Sequence, residues 1–81
     1  MSDKKNEIFL KVVDVLVDQL GVEKEKVKNE SEIMKDLGAD SLDVVDIIQV
    51  LEEDFSIKVP NAAIEGLKTV GDIVNYISNA D

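Results

Sequence analysis

Ser41 is the residue of this chain best suited to covalent chemistry. It lies between Asp40 and Asp43 in the segment DLGADSLD, residues 36–43. A serine becomes a nucleophile when a neighbouring base accepts its proton, yet the chain contains no histidine and no cysteine, and solvated aspartates are weak bases at neutral pH. Two interpretations remain. Ser41 caps a helix, which contributes about 1 kcal/mol, or it is an acceptor that another enzyme modifies, since a phosphate ester is well placed at a helix N-terminus.

The element that must position this serine is a helix beginning at or next to it. Asp40 or Ser41 is the expected cap, and Asp43 suits the positive end of the helix dipole. We expect the helix to run to about Phe55. At about 100° per residue, the side predicted to face the core carries Val44, Ile47, Ile48, Leu51 and Phe55. The opposite side carries Leu42, Asp46, Gln49 and Glu53, with Asp43 and Glu52 flanking it and Val45 on the border.

This outward side has two interpretations. A single exposed leucine on a solvated, charged helix face is common. Alternatively, Leu42 within a ring of acids is a docking surface for a partner whose hydrophobic dimple is surrounded by Arg and Lys. The charge distribution favours docking, because residues 36–81 hold ten acids against two lysines, whereas residues 1–35 hold eight acids against seven lysines. A net charge of -9 argues against nucleic acid and anionic membranes as partners.

Length and composition set further limits. A chain of 81 residues, 44% of them hydrophobic, supports one small core, so we predict a single domain over residues 1–81. The lack of cysteine excludes disulfides and thiolate metal sites, and the 36–40 segment places its glycine wrongly for an EF-hand loop; no metal site is predicted. No apolar run approaches the roughly 18 residues of a membrane helix, and residues 1–5 lead into an amphipathic pattern, so no secretory leader is expected. A cytoplasmic monomer without membrane insertion is expected.

The remaining elements are predicted to be helical. An amphipathic helix is predicted over Lys4 to Leu20, with Gly21 as a left-handed cap. The residues on its core-facing side are Phe9, Val12, Val13, Leu16 and Leu20. The connection over 22–40 is expected to be fixed to the core by Ile33 and Leu37. Val59-Pro60-Asn61 breaks the chain before a short helical turn over Ala62 to Leu67. A capping box over Thr69 to Asp72 opens a last helix, whose core residues are Val70, Ile73, Val74 and Ile77. The fold class is therefore all-α, a small bundle of three main helices and one short helix, with no strand.

The residues also resemble a known family. Leu37-Gly38-Ala39-Asp40-Ser41-Leu42-Asp43, the helix ending Leu51-Glu52-Glu53-Asp54-Phe55, Val59-Pro60 and the outer helices are similar to acyl carrier proteins of the dissociated (type II) bacterial fatty acid synthase. The resemblance covers nearly the whole chain. It implies that Ser41 carries 4'-phosphopantetheine, attached from coenzyme A by a phosphopantetheinyl transferase, and that fatty acyl chains are held on it as thioesters. It also implies that the protein itself is not an enzyme.

The resemblance further assigns two sets of residues. Basic surfaces of the transferase and of fatty acid synthesis enzymes are expected to contact Asp40, Leu42, Asp43, Asp46, Glu52 and Glu53, and the outward Gln49 at the far end of the helix. Acyl chains are expected between the second helix and the short third one, at Val45, Ile47, Ile48, Leu51, Ile64 and Leu67, although each of these is equally explained as ordinary core.

Two departures from the family leave alternatives open. Gln49 stands where an apolar residue, often methionine, is usual, and the segment beginning at Asn61 is less acidic than the family's third helix. A specialised carrier for another acyl, polyketide or aminoacyl product therefore remains an alternative. From a different class, so does an unmodified acidic adaptor that docks through the second helix alone.

Overall fold

The named elements of secondary structure are all helices. The chain is represented by a computed structural model that describes residues 3–80: α1 (Asp3–Leu20), a 3-10 helix (Lys24–Lys26), α2 (Ser41–Phe55), α3 (Asn61–Ile64) and α4 (Val70–Ala80). α1 contacts both α2 and α4, and α3 contacts α2. The predicted all-α bundle of three main helices and one short helix is confirmed. In the described residues, β-structure is limited to an isolated antiparallel bridge between Glu32 and Thr69.

α1 buries a broader stripe than its sequence indicated. Val12, Val13 and Leu16 are buried as predicted, but Ile8 and Val15 are buried as well, while Phe9 and Leu20 are only half-buried against the core. The stripe is wide because α1 packs against two helices at once. Gly21 ends the helix in the predicted left-handed conformation, with φ at +69°, and its N–H donates to the Val17 carbonyl at 2.9 Å.

The connection between α1 and α2 is folded against the core. Ile33 and Leu37 are buried, which confirms their predicted role. Ser31 is buried too; its Oγ accepts from the Lys28 N–H at 3.0 Å and donates to the Lys26 carbonyl at 3.4 Å. These bonds satisfy the hydroxyl inside the protein and hold the 3-10 helix, which the sequence analysis did not predict.

A backbone seam joins this connection to the start of α4. We use "seam" for residues 29–33 paired with residues 68–71. The Ile33 N–H donates to the Lys68 carbonyl at 3.0 Å, the Val70 N–H to the Ser31 carbonyl at 3.0 Å, and the Gly71 N–H to the Asn29 carbonyl at 2.8 Å. The seam fixes the long connection relative to α4 and thereby sets the position from which the chain enters α2.

The last two helices follow their predicted signals closely. Pro60 has extended backbone angles (φ -65°, ψ 154°) and precedes α3, so helical residues begin at Asn61 rather than at the predicted Ala62. Leu67 lies outside the helix, after a turn at residues 65–66. In α4, the Asp72 N–H donates to Thr69 Oγ1 at 3.1 Å, and the Thr69 N–H donates to Asp72 Oδ2 at 3.1 Å. This is the predicted capping box. The four predicted core residues of α4 are all buried: Val70, Ile73, Val74 and Ile77.

Candidate functional site

Ser41 is the first residue of α2 and does not cap it. The cap is Asp40, whose Oδ1 accepts from the Asp43 N–H at 2.9 Å, while Asp43 Oδ2 accepts from the Asp40 N–H at 3.2 Å. Of the two caps that the sequence allowed, the structure selects Asp40. Ser41 is exposed, and its Oγ forms no hydrogen bond within residues 3–80. The fold therefore leaves this hydroxyl available.

The turn before α2 holds Ser41 in place. The Asp36 N–H donates to the Glu32 carbonyl at 2.8 Å, and Asp36 Oδ2 accepts from the Glu32 N–H at 2.8 Å. Gly38 has φ at +77°, a left-handed conformation, and turns the chain toward Ala39, which is buried and donates to the Ile33 carbonyl at 3.1 Å. Ser41 is thus presented from a hydrogen-bonded turn rather than from a loose loop.

A groove of about 950 Å³ lies beside Ser41. Its wall is formed by the first turns of α2, by the α3 region and by the connection before α2. The apolar lining residues are Met34, Val44, Val45, Ile64 and Leu67. The charged ones are Glu32, Lys35, Glu65 and Lys68. A groove of this size with a mostly apolar wall suits a small ligand or an apolar chain.

The structure divides the predicted acyl pocket into two parts. Val45, Ile64 and Leu67 line the groove beside Ser41. Ile47, Ile48 and Leu51 are each only 1% exposed and belong to the closed core. Ile48, Leu51 and Leu67 border an internal void of about 10 Å³, the smallest volume that holds one water molecule. Leu67 borders both spaces, so it is the contact between the groove and the interior.

The outward side of α2 is as the helical period predicted. Leu42 is 73% exposed, and Asp46, Gln49 and Glu53 are exposed. The side chains of these four residues form no hydrogen bond or ion pair with the described part of the chain. They form an acidic surface with one prominent apolar side chain, which the fold itself leaves without a partner.

Three other acids of the predicted docking set already bind backbone N–H groups. Asp40 and Asp43 cap α2. Glu52 is half-buried, and its Oε2 accepts from the Val59 N–H at 2.6 Å, which ties α2 to the segment before α3. The sequence analysis missed this role of Glu52, because no local pattern relates a helical glutamate to a backbone group seven residues later.

The described residues contain no second centre of obvious chemistry. No group of three or more carboxylates among residues 3–80 is arranged to bind a metal ion. None of the helices in that range is both long enough and apolar enough to cross a bilayer.

The chain is similar to known proteins. The family described as "Phosphopantetheine attachment site" matches residues 11–77. An acyl carrier protein of Clostridium acetobutylicum is 50% identical over 86% of this chain and 91% of its own length, and one of Wolinella succinogenes is 51% identical over 86% and 92%. The solved structure of the acyl carrier protein from Enterococcus faecalis superposes with a TM-score of 0.82, at 28% identity, over 95% of this chain and 98% of that one.

These matches show that the chain belongs to the family of proteins with a phosphopantetheine attachment site. The family match covers α2 and most of the helices around it. Within that family, the curated relatives at about half identity place the chain with the acyl carrier proteins. The family and the fold predicted from the sequence are both confirmed.

Proposed function

We propose that this chain carries acyl groups, principally growing fatty acyl chains, on 4'-phosphopantetheine attached to Ser41. The group supplies, when bound, the thiol that the chain lacks, so that acyl groups are held as thioesters. The observation that carries the proposal is the Ser41 hydroxyl: it is exposed at the N-terminus of α2, unbonded within residues 3–80, and lies within the residues matched by the family.

The residues around Ser41 fit such a group. Asp40, not Ser41, satisfies the first turn of α2, so esterification of the hydroxyl leaves the cap intact. The helix N-terminus favours a phosphate oxygen next to it. The groove offers apolar wall from Val45, Ile64 and Leu67 to a chain attached at its edge. The chain's own residues therefore position and shelter the attached group, and they catalyse no reaction.

The proposal includes the partners and the setting expected from the sequence. Phosphopantetheinyl transferase and fatty acid synthesis enzymes with basic surfaces would bind the outward side of α2. Asp46 and Glu53 would provide charge for orientation and association rate, and Leu42 the desolvated contact. We also propose that residues 1–81 form a single acyl-carrier domain and that the protein acts as a cytoplasmic monomer.

The attachment is tested by intact-protein mass spectrometry after incubation with coenzyme A, magnesium and a phosphopantetheinyl transferase. The wild-type protein and Ser56→Gly, which alters an exposed serine at the other end of α2, should both gain the mass of phosphopantetheine. Ser41→Ala should remain folded and gain nothing. An unmodified wild-type protein, or a modified Ser41→Ala variant, would contradict the proposal.

The docking surface is tested separately. Asp46→Lys and Glu53→Lys should each weaken binding to a ketosynthase at low salt while leaving the free energy of unfolding nearly unchanged, because both side chains are exposed and unbonded. Glu25→Lys, an exposed acid in the 3-10 helix, is the matched control and should bind as wild type. Equal weakening by all three variants would indicate a nonspecific effect of net charge and contradict a defined surface.

A further inference from the structure

Ser41 lies on the border between two electrostatic surroundings. On the outward side of α2, Asp43 and Asp46 contribute only negative charge. On the other side, Lys35 and Lys68 line the same groove as Ser41. Both lysines are exposed, and neither ammonium group forms an ion pair with any residue between 3 and 80. Two lysines without an ion pair among the described residues thus line the groove on one side of the serine.

The two lysines are far apart in the sequence and are brought together by the seam. The Ile33 N–H donates to the Lys68 carbonyl at 3.0 Å, and Glu32 pairs with Thr69 in the antiparallel bridge. Lys35 follows the first of these segments by two residues. Their shared position on the groove wall is therefore fixed by backbone hydrogen bonds rather than by flexible side-chain contacts.

The charge of the groove wall contrasts with that of the segment from Asp36 to Ile57. Glu32 and Glu65 also line the groove, so its four charged side chains sum to zero. From Asp36 to Ile57 the sequence contains seven acids and no basic residue. An anion attached at Ser41 therefore faces carboxylates alone on the α2 side, whereas on the groove side it faces two ammonium groups together with two carboxylates.

We propose that Lys35 and Lys68 bind the phosphodiester of the group attached at Ser41 and so hold that group on the groove side of the serine. This inference rests on the proposed function. A phosphodiester retains one negative charge at neutral pH, and exposed ion pairs of this kind shift a conformational equilibrium by about two- to fivefold. The two lysines are positioning residues: they favour the sheltered side and keep the group off the docking surface until a partner binds.

The lack of cysteine in the chain provides a specific probe. After attachment is verified by mass, the thiol of the bound group is the protein's sole thiol and takes a nitroxide spin label. Paramagnetic broadening of the backbone amides of Ile64 and Leu67 then reports the groove side, and broadening at Asp46 and Gln49 reports the outward side. The ratio of the two effects measures where the group resides.

In the wild-type protein the groove amides should be broadened more strongly. The double variant Lys35→Gln/Lys68→Gln should lower the ratio by about two- to fivefold. Lys58→Gln, which removes an exposed lysine that does not line the groove, should keep the wild-type ratio. Raising sodium chloride to about 1 M, where the Debye length is about 3 Å, should lower the ratio in the wild-type protein without any substitution.

The outcomes separate this inference from the proposed function. No mass increment on the wild-type protein would overturn the function itself. A labelled protein whose ratio is even, or is unchanged by both the double substitution and salt, would overturn only the role of the lysines. Amide spectra of the unlabelled variants, expected to match wild type away from residues 35 and 68, show that the fold is retained.

Discussion

The first turns of α2 and α4 contain the same hydrogen-bond motif, but one turn is exposed to solvent and the other is packed against the core. In α2, Asp40 and Asp43 exchange bonds of 2.9 and 3.2 Å. In α4, Thr69 and Asp72 exchange two bonds of 3.1 Å. Both are capping boxes that satisfy two backbone N–H groups, so the local geometry of the two helix starts is equivalent.

The residues enclosed by the two boxes differ completely in burial. In α4, Val70 is fully buried, and a side chain at Gly71 would lie 3.1 Å from the Asn29 carbonyl oxygen, so this turn is packed against the connection before α2. In α2, Ser41 is exposed and Leu42 is 73% exposed. The comparison shows that the first turn of α4 is anchored to the core, whereas the first turn of α2 is exposed to solvent.

The largest difference in the free energy of unfolding is expected when Val70 and Ser41, the first residues of α4 and α2, are each replaced by the residue type of the other. Val70→Ser removes a fully buried side chain and places a hydroxyl in the core, and we expect a loss of about 3 kcal/mol in the free energy of unfolding. Ser41→Val should change stability by less than about 0.5 kcal/mol, because the site is exposed. Urea unfolding of both variants measures the difference. A destabilisation by Ser41→Val as large as that of Val70→Ser would show that the α2 turn is not free of packing.

Removing the caps should have similar, smaller effects in both helices. Asp40→Ala and Thr69→Ala should each lower the free energy of unfolding by about 1 kcal/mol, since each leaves a backbone N–H without its acceptor. Asp40→Asn and Thr69→Ser retain a side-chain oxygen and should recover most of the loss in urea unfolding. Failure of these conservative variants to recover stability would mean that the hydrogen bond is not the cause.

By weakening repulsion between acids in the first turns of α2, added salt should raise the free energy of unfolding by about a few tenths of a kcal/mol. Asp43 and Asp46 are like charges three residues apart on α2 and repel by about 0.2–0.5 kcal/mol at low ionic strength. Sodium chloride should raise the urea midpoint by screening them, and Asp46→Asn should reduce that rise. Asp72 of α4 has no acid three or four residues away within its helix, so Asp72→Asn serves as the control. A salt effect equal in all three proteins would assign it to net charge alone.

The smallest effect on stability is expected at Leu42. Leu42→Ala should change the free energy of unfolding by less than about 0.5 kcal/mol, because the side chain is largely in water. If the docking proposal holds, the same substitution weakens binding to a partner enzyme, which titration calorimetry measures. Unchanged binding would show that Leu42 is not part of the docking surface and that binding depends on the charged residues.

The sequence predicted the features that depend on neighbouring residues. The bounds of α2, its buried and exposed sides and the capping box of α4 all follow from helical period and capping chemistry, so the position of Ser41 was found correctly. What it could not predict arises between distant segments. The seam, the Glu52 bond to the Val59 N–H and the groove that both Lys68 and Ser41 line depend on the packed fold. The wider buried stripe of α1 has the same cause, because two partner helices share it.

The seam also relates the groove to the order in which a chain is made. Glu32 and Thr69 pair across nearly forty residues of sequence, so their pairing waits for the closure of a long loop, whereas α2 forms from local contacts. During synthesis from the N-terminus, Ser41 emerges well before Lys68. A ribosome-bound chain that ends before Lys68 lacks part of the groove wall, so the groove beside Ser41 is complete only after the later residues have been made.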